Sequence, residues 1–331
     1  MHQRNTQVEG LRSIAMLCVL LFHFFCRFQE IYMDGKSSLS WPFTLFGGIG
    51  VSTFFLISGY FFANADGGIN FFIRRVKKLL PTYWVALIVC FLVTNLFQLP
   101  GRTAPFSDFL FNFLLLGGFP GIVFVDGAHW FLRTMLTIIV FYAIILRMSS
   151  KKHFSVYVVT VLFVMGLFFV ELNVSYLQYA AKVLLNPSGL GLEYLVVTIM
   201  GSALAFIKKN EKKGFLLFVL CFASDIVLWD VSMSIAMLLM SVLLFLCERK
   251  KMTFFEITFF QQLAKSSYSI YLLHQNIGYI IMLALLDFFP YAYWMPLLTT
   301  LCMIGVGMLL HHRVEKKINS HFKKRLSATH F

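Results

Sequence analysis

Residues 8–24 read Val8-Glu9-Gly10-Leu11-Arg12-Ser13-Ile14-Ala15-Met16-Leu17-Cys18-Val19-Leu20-Leu21-Phe22-His23-Phe24. The run is apolar and long enough to enter a membrane as a helix, yet it carries Arg12 and His23. Ionisable side chains inside a span are costly and mark functional sites. Eleven residues make three helical turns plus about 20°, so both side chains fall on one face, about 16 Å apart along the axis. Arg12 sits near the inner end. His23 lies about 18 Å in, past the midplane of a core about 30 Å thick. A buried imidazole is usually neutral, which suits a general base or a nucleophile. Arginine stays charged and suits phosphate or carboxylate. The pair reads as an anion held at the inner side and a proton removed deeper in. The plainer reading is that Arg12 follows the charge rule of inner loops and His23 bonds a neighbouring carbonyl.

The 331 residues are 59% hydrophobic and 13% charged, with 39 Phe, where soluble domains are about a quarter charged. Mean hydropathy is +0.78. The fold class is all-α: a polytopic transmembrane bundle forming one domain over residues 1–331. The cysteines Cys18, Cys26, Cys90, Cys221, Cys247 and Cys302 are scattered in or beside apolar runs with no C-x-x-C pair. They read as small buried hydrophobes, not a disulfide framework or a metal site. No small-residue cleavage site follows the first run, so it reads as a retained span.

Apolar runs of helical length fall at about 11–28, 45–63, 79–98, 129–147, 154–171, 191–207, 213–228, 231–247, 268–287 and 293–312, which makes ten spans. The stretch 106–125 is apolar but broken by Gly117, Gly118, Pro120 and Gly121. It reads as interfacial or re-entrant, the alternative being an eleventh span. With the N-terminus inside and ten crossings, the C-terminus is also cytoplasmic. All of the 28 Lys and Arg then fall inside except Arg27, Lys36, Arg102, Arg133 and Lys182. The positive-inside rule is thus met at every loop. The net charge of +13 is topology first, and no nucleic-acid partner is expected. Two longer outer connections, about 29–44 and 99–128, are long enough to cover an outward-facing cleft. Internal repeats and matched discontinuous helices are not evident, which weighs against a secondary transporter.

Four further segments carry candidate chemistry. In the second span, Gly48, Ser52 and Gly59 share a face and suit close helix packing, with Ser58 beside them. Arg74, Arg75, Lys77 and Lys78 lie within five residues in the loop Phe72–Trp84. That cluster reads as topology plus attraction to anionic lipid, or as a clamp for a polyphosphorylated ligand such as coenzyme A. The fourth span opens with His129-Trp130-Phe131-Leu132-Arg133. Trp130 suits an interfacial anchor, and Arg133, a turn in, suits a polar cavity. Ser267, Tyr271 and His274 stand at i, i+4 and i+7 in the ninth span, a polar stripe that lines a cavity or joins helices. Walker A, G-x-S-x-G and dinucleotide-binding motifs are missing. His311-His312 is not metal-ligand spacing, so no metal site is expected. The carboxylates near spans, Glu9, Glu171, Glu193, Asp225, Asp230 and Asp287, stand mostly at span ends and suggest no proton relay.

Together these segments resemble the acyltransferase 3 family of integral-membrane acyltransferases. The blocks run in the family's order: E-G-L-R-S-I-A-M-L-C-V-L-L-F-H with Arg12 and His23; G-V-S-T-F-F-L-I-S-G-Y at 50–60; F-I-R-R-V-K-K-L-L-P-T-Y-W at 72–84; and S-Y-S-I-Y-L-L-H at 267–274, with W-F-L at 130–132. The resemblance covers nearly the whole chain and implies ten helices. It implies transfer of an acyl group, usually acetyl from acetyl-CoA, to a hydroxyl of a bacterial envelope carbohydrate. It implies essential roles for His23 and Arg12, and a donor site at Arg74, Arg75, Lys77 and Lys78. Glu9, Ser58, Trp130, Arg133, Ser267, Tyr271 and His274 are then cavity or supporting residues. Acetyl-CoA enters as a substrate, and no permanently bound cofactor is expected. Glu9 stands where Asp is commoner, and Lys78 where a second Arg is expected, keeping charge but losing the bidentate fork. The chain ends about twenty residues after its last span, without the hydrolase-like domain some relatives carry. The expected acceptor is therefore capsule, exopolysaccharide, lipopolysaccharide or a polyprenyl-linked glycan, at the bacterial cytoplasmic membrane. The competing class is a transporter or flippase of such glycans, and a third is a membrane sensor or scaffold.

Overall fold

The computed structural model describes residues 5–33, 43–63, 65, 68–148, 150–187 and 189–320. Arg4, Lys36 with most of the first outer connection, the Lys151 and Lys152 side chains, and the tail cations beyond 320 lie outside the described residues. Apolar runs without water must satisfy every backbone N–H and C=O internally, which makes them helices. No strand occurs among the described residues. The helices are α1 (Thr6–Phe22), α2 (Phe28–Tyr32), α3 (Phe46–Phe62), α4 (Ile69–Leu96), α5 (Phe106–Phe113), α6 (Trp130–Ile145) and α7 (Ser150–Asn173). They continue as α8 (Gln178–Leu185), α9 (Tyr194–Lys208), α10 (Lys212–Leu228), α11 (Val231–Glu248), α12 (Thr258–Leu286) and α13 (Trp294–Leu310).

Eight helical stretches among the described residues are long and apolar enough to cross a membrane. α9 and α10 stand where two further spans are expected and are shorter, at 15 and 17 residues. Two boundaries differ from the sequence reading. α4 starts at Ile69, not near 79, because no helix breaker separates the cations from the apolar run. Arg74, Arg75, Lys77 and Lys78 therefore lie on a helix and not in a loop. Pro81 falls inside it, and Tyr268 donates to the nearby Leu79 carbonyl at 2.9 Å. α12 likewise begins ten residues early, at Thr258.

The broken stretch 106–125 is no span-length helix. α5 has only eight residues, and the chain then turns through Gly118 and Gly121 at φ +81° and +79°. Side chains hold this turn. Asp108 Oδ2 accepts from Val123 N–H at 2.8 Å, and the Asn112 amide donates to the Asp108 and Val123 carbonyls, both at 2.7 Å.

The chain divides into two compact units. The first comprises residues 1–12, 51–75 and 130–254; the second comprises 13–50, 76–129 and 255–331. In the first, α3 and α9 meet backbone to backbone. A Cβ on Gly59 would lie 1.7 Å from the Thr198 carbonyl oxygen, and one on Gly201 would lie 2.0 Å from that of Leu56. Ser202 Oγ donates to the Gly59 carbonyl at 3.0 Å and lies 2.6 Å from the Tyr142 hydroxyl. Lys208 pairs with Glu248, which also accepts from the Asn5 amide at 3.3 Å. In the second unit α12 packs along α13, where Gly307 leaves no room for a Cβ against Ile270. Ser269 donates to Glu315 at 2.7 Å, and His311 Nδ1 lies 2.9 Å from the same carboxylate.

The α3–α9 packing tolerates no side chain at either glycine, since backbone carbonyls stand in the way. Gly201→Val is expected to lower stability by about 1–3 kcal/mol, seen as an earlier thermal unfolding midpoint in detergent. An exposed change such as Leu239→Ala should leave the midpoint within a degree or two of wild type.

Candidate active site

The site is built on the second unit, around His23. α1 runs unbroken to Phe22 and then widens into a π-turn over His23–Arg27, in which the Phe28 N–H bonds the His23 carbonyl. Single π-turns inside helices recur at functional sites. This one begins at the histidine, so the ring leaves the helix where the backbone is least regular. The surrounding Phe24, Phe25, Cys26 and Phe28 are buried, while His23 remains half-buried.

α12 supplies the groups that meet it. His23 Nδ1 lies 3.1 Å from the Tyr279 hydroxyl. That hydroxyl also accepts from the Gln275 amide at 3.4 Å. A contact at Nδ1 orients the ring and leaves Nε2 for a reacting group. His274, fully buried, stands edge-on to His23 with ring centroids 4.7 Å apart. Its Nδ1 lies 2.7 Å from the Tyr271 carbonyl. A carbonyl cannot donate, so the proton is on Nδ1. Nε2 is then a bare acceptor with no hydrogen-bond partner among the described residues.

The segment 125–129 fixes this turn of α12. His129 Nε2 donates to the Leu272 carbonyl at 3.0 Å. Asp126 Oδ2 accepts from Asn276 N–H at 3.1 Å, and Oδ1 accepts from Ala128 N–H at 2.9 Å. The Asn276 amide donates to the Val125 carbonyl at 2.8 Å, and Tyr271 donates to the Ala128 carbonyl at 2.7 Å. These side-chain bonds tie the turn to the segment before α6 across 143–151 residues of sequence.

The other expected site residues fall as follows. Ser267 donates to the Ala264 carbonyl within its own helix at 2.8 Å. Of the α12 stripe, His274 alone meets His23. Ser58 donates to the Phe54 carbonyl at 2.7 Å, also within its own helix. In the first unit, the Trp130 ring lies 5.4 Å from that of Tyr194, tilted by 32°, and Arg133 donates to the Pro187 carbonyl at 2.8 Å. The Arg12 guanidinium lies 6.0 Å from the centre of the Phe54 ring, and half-buried Glu9 stands one turn before it on α1. Arg75 lies over Phe62 and Phe71 at 4.8 and 5.4 Å, within electrostatic range of Arg12 and Arg74. Neither Arg12 nor Arg75 forms an ion pair with a described residue. Further along α4, Lys77 is exposed and Lys78 half-buried.

Sequence reasoning missed Tyr279, Gln275 and Asp126, of which Asp126 alone had a signal, as a lone acid just before the fourth span. Among the described residues no three His, Cys, Asp or Glu side chains converge as a metal site. Asp126→Ala removes the carboxylate that accepts from Ala128 and Asn276 N–H and is expected to cost about 1–3 kcal/mol. Hydrogen exchange checks it, through faster exchange at Ala128 and Asn276 than in wild type.

The family model for the acyltransferase domain of the acyltransferase 3 family matches residues 5–310. Curated relatives from Staphylococcus aureus strains COL, MSSA476 and MRSA252, each named "Putative O-acetyltransferase", are 35% identical over 92 residues. That stretch is 25% of this chain and 13% of each relative, so the chain aligns with about an eighth of their length. No solved structure matches the chain. A match across nearly the whole sequence, together with an all-helical fold rich in span-length apolar helices, establishes that the chain belongs to the acyltransferase 3 family.

Proposed function

We propose that this protein is an O-acetyltransferase of the bacterial cytoplasmic membrane. It moves the acetyl group of acetyl-CoA to a hydroxyl of an envelope carbohydrate: capsule, exopolysaccharide, lipopolysaccharide or a polyprenyl-linked glycan. The observation that carries this reading is the pair of facing imidazoles. His23 is held at Nδ1 by Tyr279 and is only half-buried, whereas His274 beside it is dry and has its tautomer set by a carbonyl.

With Nδ1–H donating to Tyr279, His23 Nε2 carries the lone pair that removes a proton from the acceptor hydroxyl. The same nitrogen serves equally as a nucleophile that carries the acetyl group. The Tyr279 contact does the orienting work of the third member of a catalytic triad. General-base action contributes about 10²–10⁴-fold; positioning and exclusion of water supply the rest. In the first unit the like-charged Arg12, Arg74 and Arg75 suit the phosphates of coenzyme A. Like charges held close together favour an anionic ligand. The names of the S. aureus relatives support the acetyl group and the hydroxyl acceptor.

Inside-out membranes holding matched amounts of wild type or His23→Ala, given acetyl-labelled CoA, test this reading. Label should enter the host's surface glycans with wild type and fall by about 10²–10⁴-fold with His23→Ala. Tyr279→Phe, which removes one hydrogen bond worth about 1 kcal/mol, should lower turnover only about five- to tenfold. Full labelling by His23→Ala overturns the proposal.

A further inference from the structure

The connection after α4 brings one more cation to His23. Arg102 follows a turn at Gly101, with φ +67°, and its guanidinium lies 5.7 Å from the centre of the Tyr279 ring. That is the same tyrosine whose hydroxyl holds His23 Nδ1. Gly127 makes the approach possible. A Cβ there would lie 2.9 Å from Arg102 Nη1 and 3.0 Å from Gln275 Oε1, so the bare glycine leaves a small cradle between the two. Arg102 also lies within electrostatic range of His23 and within reach of the Tyr32 hydroxyl. It is half-buried and pairs with no carboxylate among the described residues.

Arg27 makes the contrast. It too stands near His23. However, it is exposed and forms an ion pair with Glu30 at 2.7 Å. Of the two cations, only Arg102 keeps its charge available inside the site.

We propose that Arg102 is a catalytic residue that receives the negative charge developing on the acyl carbonyl oxygen beside His23. The inference rests on the acetyltransferase reading above and adds a group outside the Arg12–His23 pair. In the step, His23 Nε2 takes the proton of the acceptor hydroxyl as the new C–O bond forms. The carbonyl electron pair moves onto oxygen, where the Arg102 N–H groups stabilise it. Collapse then breaks the C–S bond, and the proton on His23 passes to the departing thiolate, giving the ester and free CoA. Preorganised donors aimed at such an oxyanion act in a dry site and are worth about 10²–10³-fold in kcat. Arginine suits the role because it stays charged when partly buried.

The test compares wild type, Arg102→Ala, Arg102→Lys, Arg27→Ala and His23→Ala in the same membrane transfer assay with acetyl-labelled CoA and host glycans. Arg102→Ala should lower apparent kcat about 10²–10³-fold while KM for acetyl-CoA stays within about twofold. Arg102→Lys should fall between Ala and wild type, and Arg27→Ala should match wild type. If Arg102→Ala is poorly folded, Arg102→Lys and Gly127→Ala decide, since the latter closes the cradle and should also lower kcat. The inference fails if Arg102→Ala retains kcat, if only KM for acetyl-CoA rises, or if more glycan restores the rate. In those cases loss of turnover in His23→Ala keeps the acetyltransferase reading standing. Full turnover in His23→Ala overturns both.

Discussion

A polar side chain in a bundle of apolar helices cannot fall back on water. Leaving a buried amide or hydroxyl without a partner costs about 1–3 kcal/mol in proteins. In the second unit, side chains bond backbone groups around one turn of α12. Asn276, Leu272 and Ala128 have their backbone groups served by Asp126, His129 and Tyr271. These bonds hold one turn of α12 against the segment before α6. The turn carries His274 and Gln275, and Tyr279 stands one turn further on. The position of His23's partners is therefore set by hydrogen bonds the imidazole itself does not make.

The same constraint explains which polar groups are spent and which are left. Most stripe and span residues close on a carbonyl within their own helix, as Ser58, Ser267 and Thr300 do. Such bonds satisfy the hydroxyl and leave nothing over for chemistry. His274 Nε2, Gln275 Oε1 and Asn276 Oδ1 in this turn, and His129 Nδ1 beside it, have no hydrogen-bond partner among the described residues. The π-turn at His23 adds a second irregularity at the same point. Natural sequences break local rules mainly where function requires it.

The helices and the basic cluster are legible in sequence because apolar runs and runs of cations are local properties. Ser267, Tyr271 and His274 are legible as a stripe for the same reason. Their separate fates are not, since Tyr271 and Ser267 bond backbone while His274 meets His23. Tyr279 is invisible because one tyrosine in an apolar helix carries no signal until its partner, 256 residues away, is known. Asp126 bonds across 150 residues and is hidden for the same reason. The start of α4 is misread because a cation run looks like a loop, although Lys and Arg are good helix formers. Arg102 stands out as an exception to the charge rule, but its approach to Tyr279 depends on Gly127, which no local pattern marks.

On the proposed mechanism His23 Nε2 faces the reacting acyl group while Nδ1 stays on Tyr279. Electron cryo-microscopy of the full chain in lipid nanodiscs, with a non-hydrolysable ketone analogue of acetyl-CoA, tests it most directly. The analogue's carbonyl is expected on the Nε2 side of His23, with a gap that seats the acceptor hydroxyl within hydrogen-bond reach of Nε2 and about 3–3.5 Å from the carbonyl carbon, and with the Tyr279 hydroxyl still on Nδ1. A carbonyl bound elsewhere, with the His23 ring turned onto a backbone carbonyl, would contradict it.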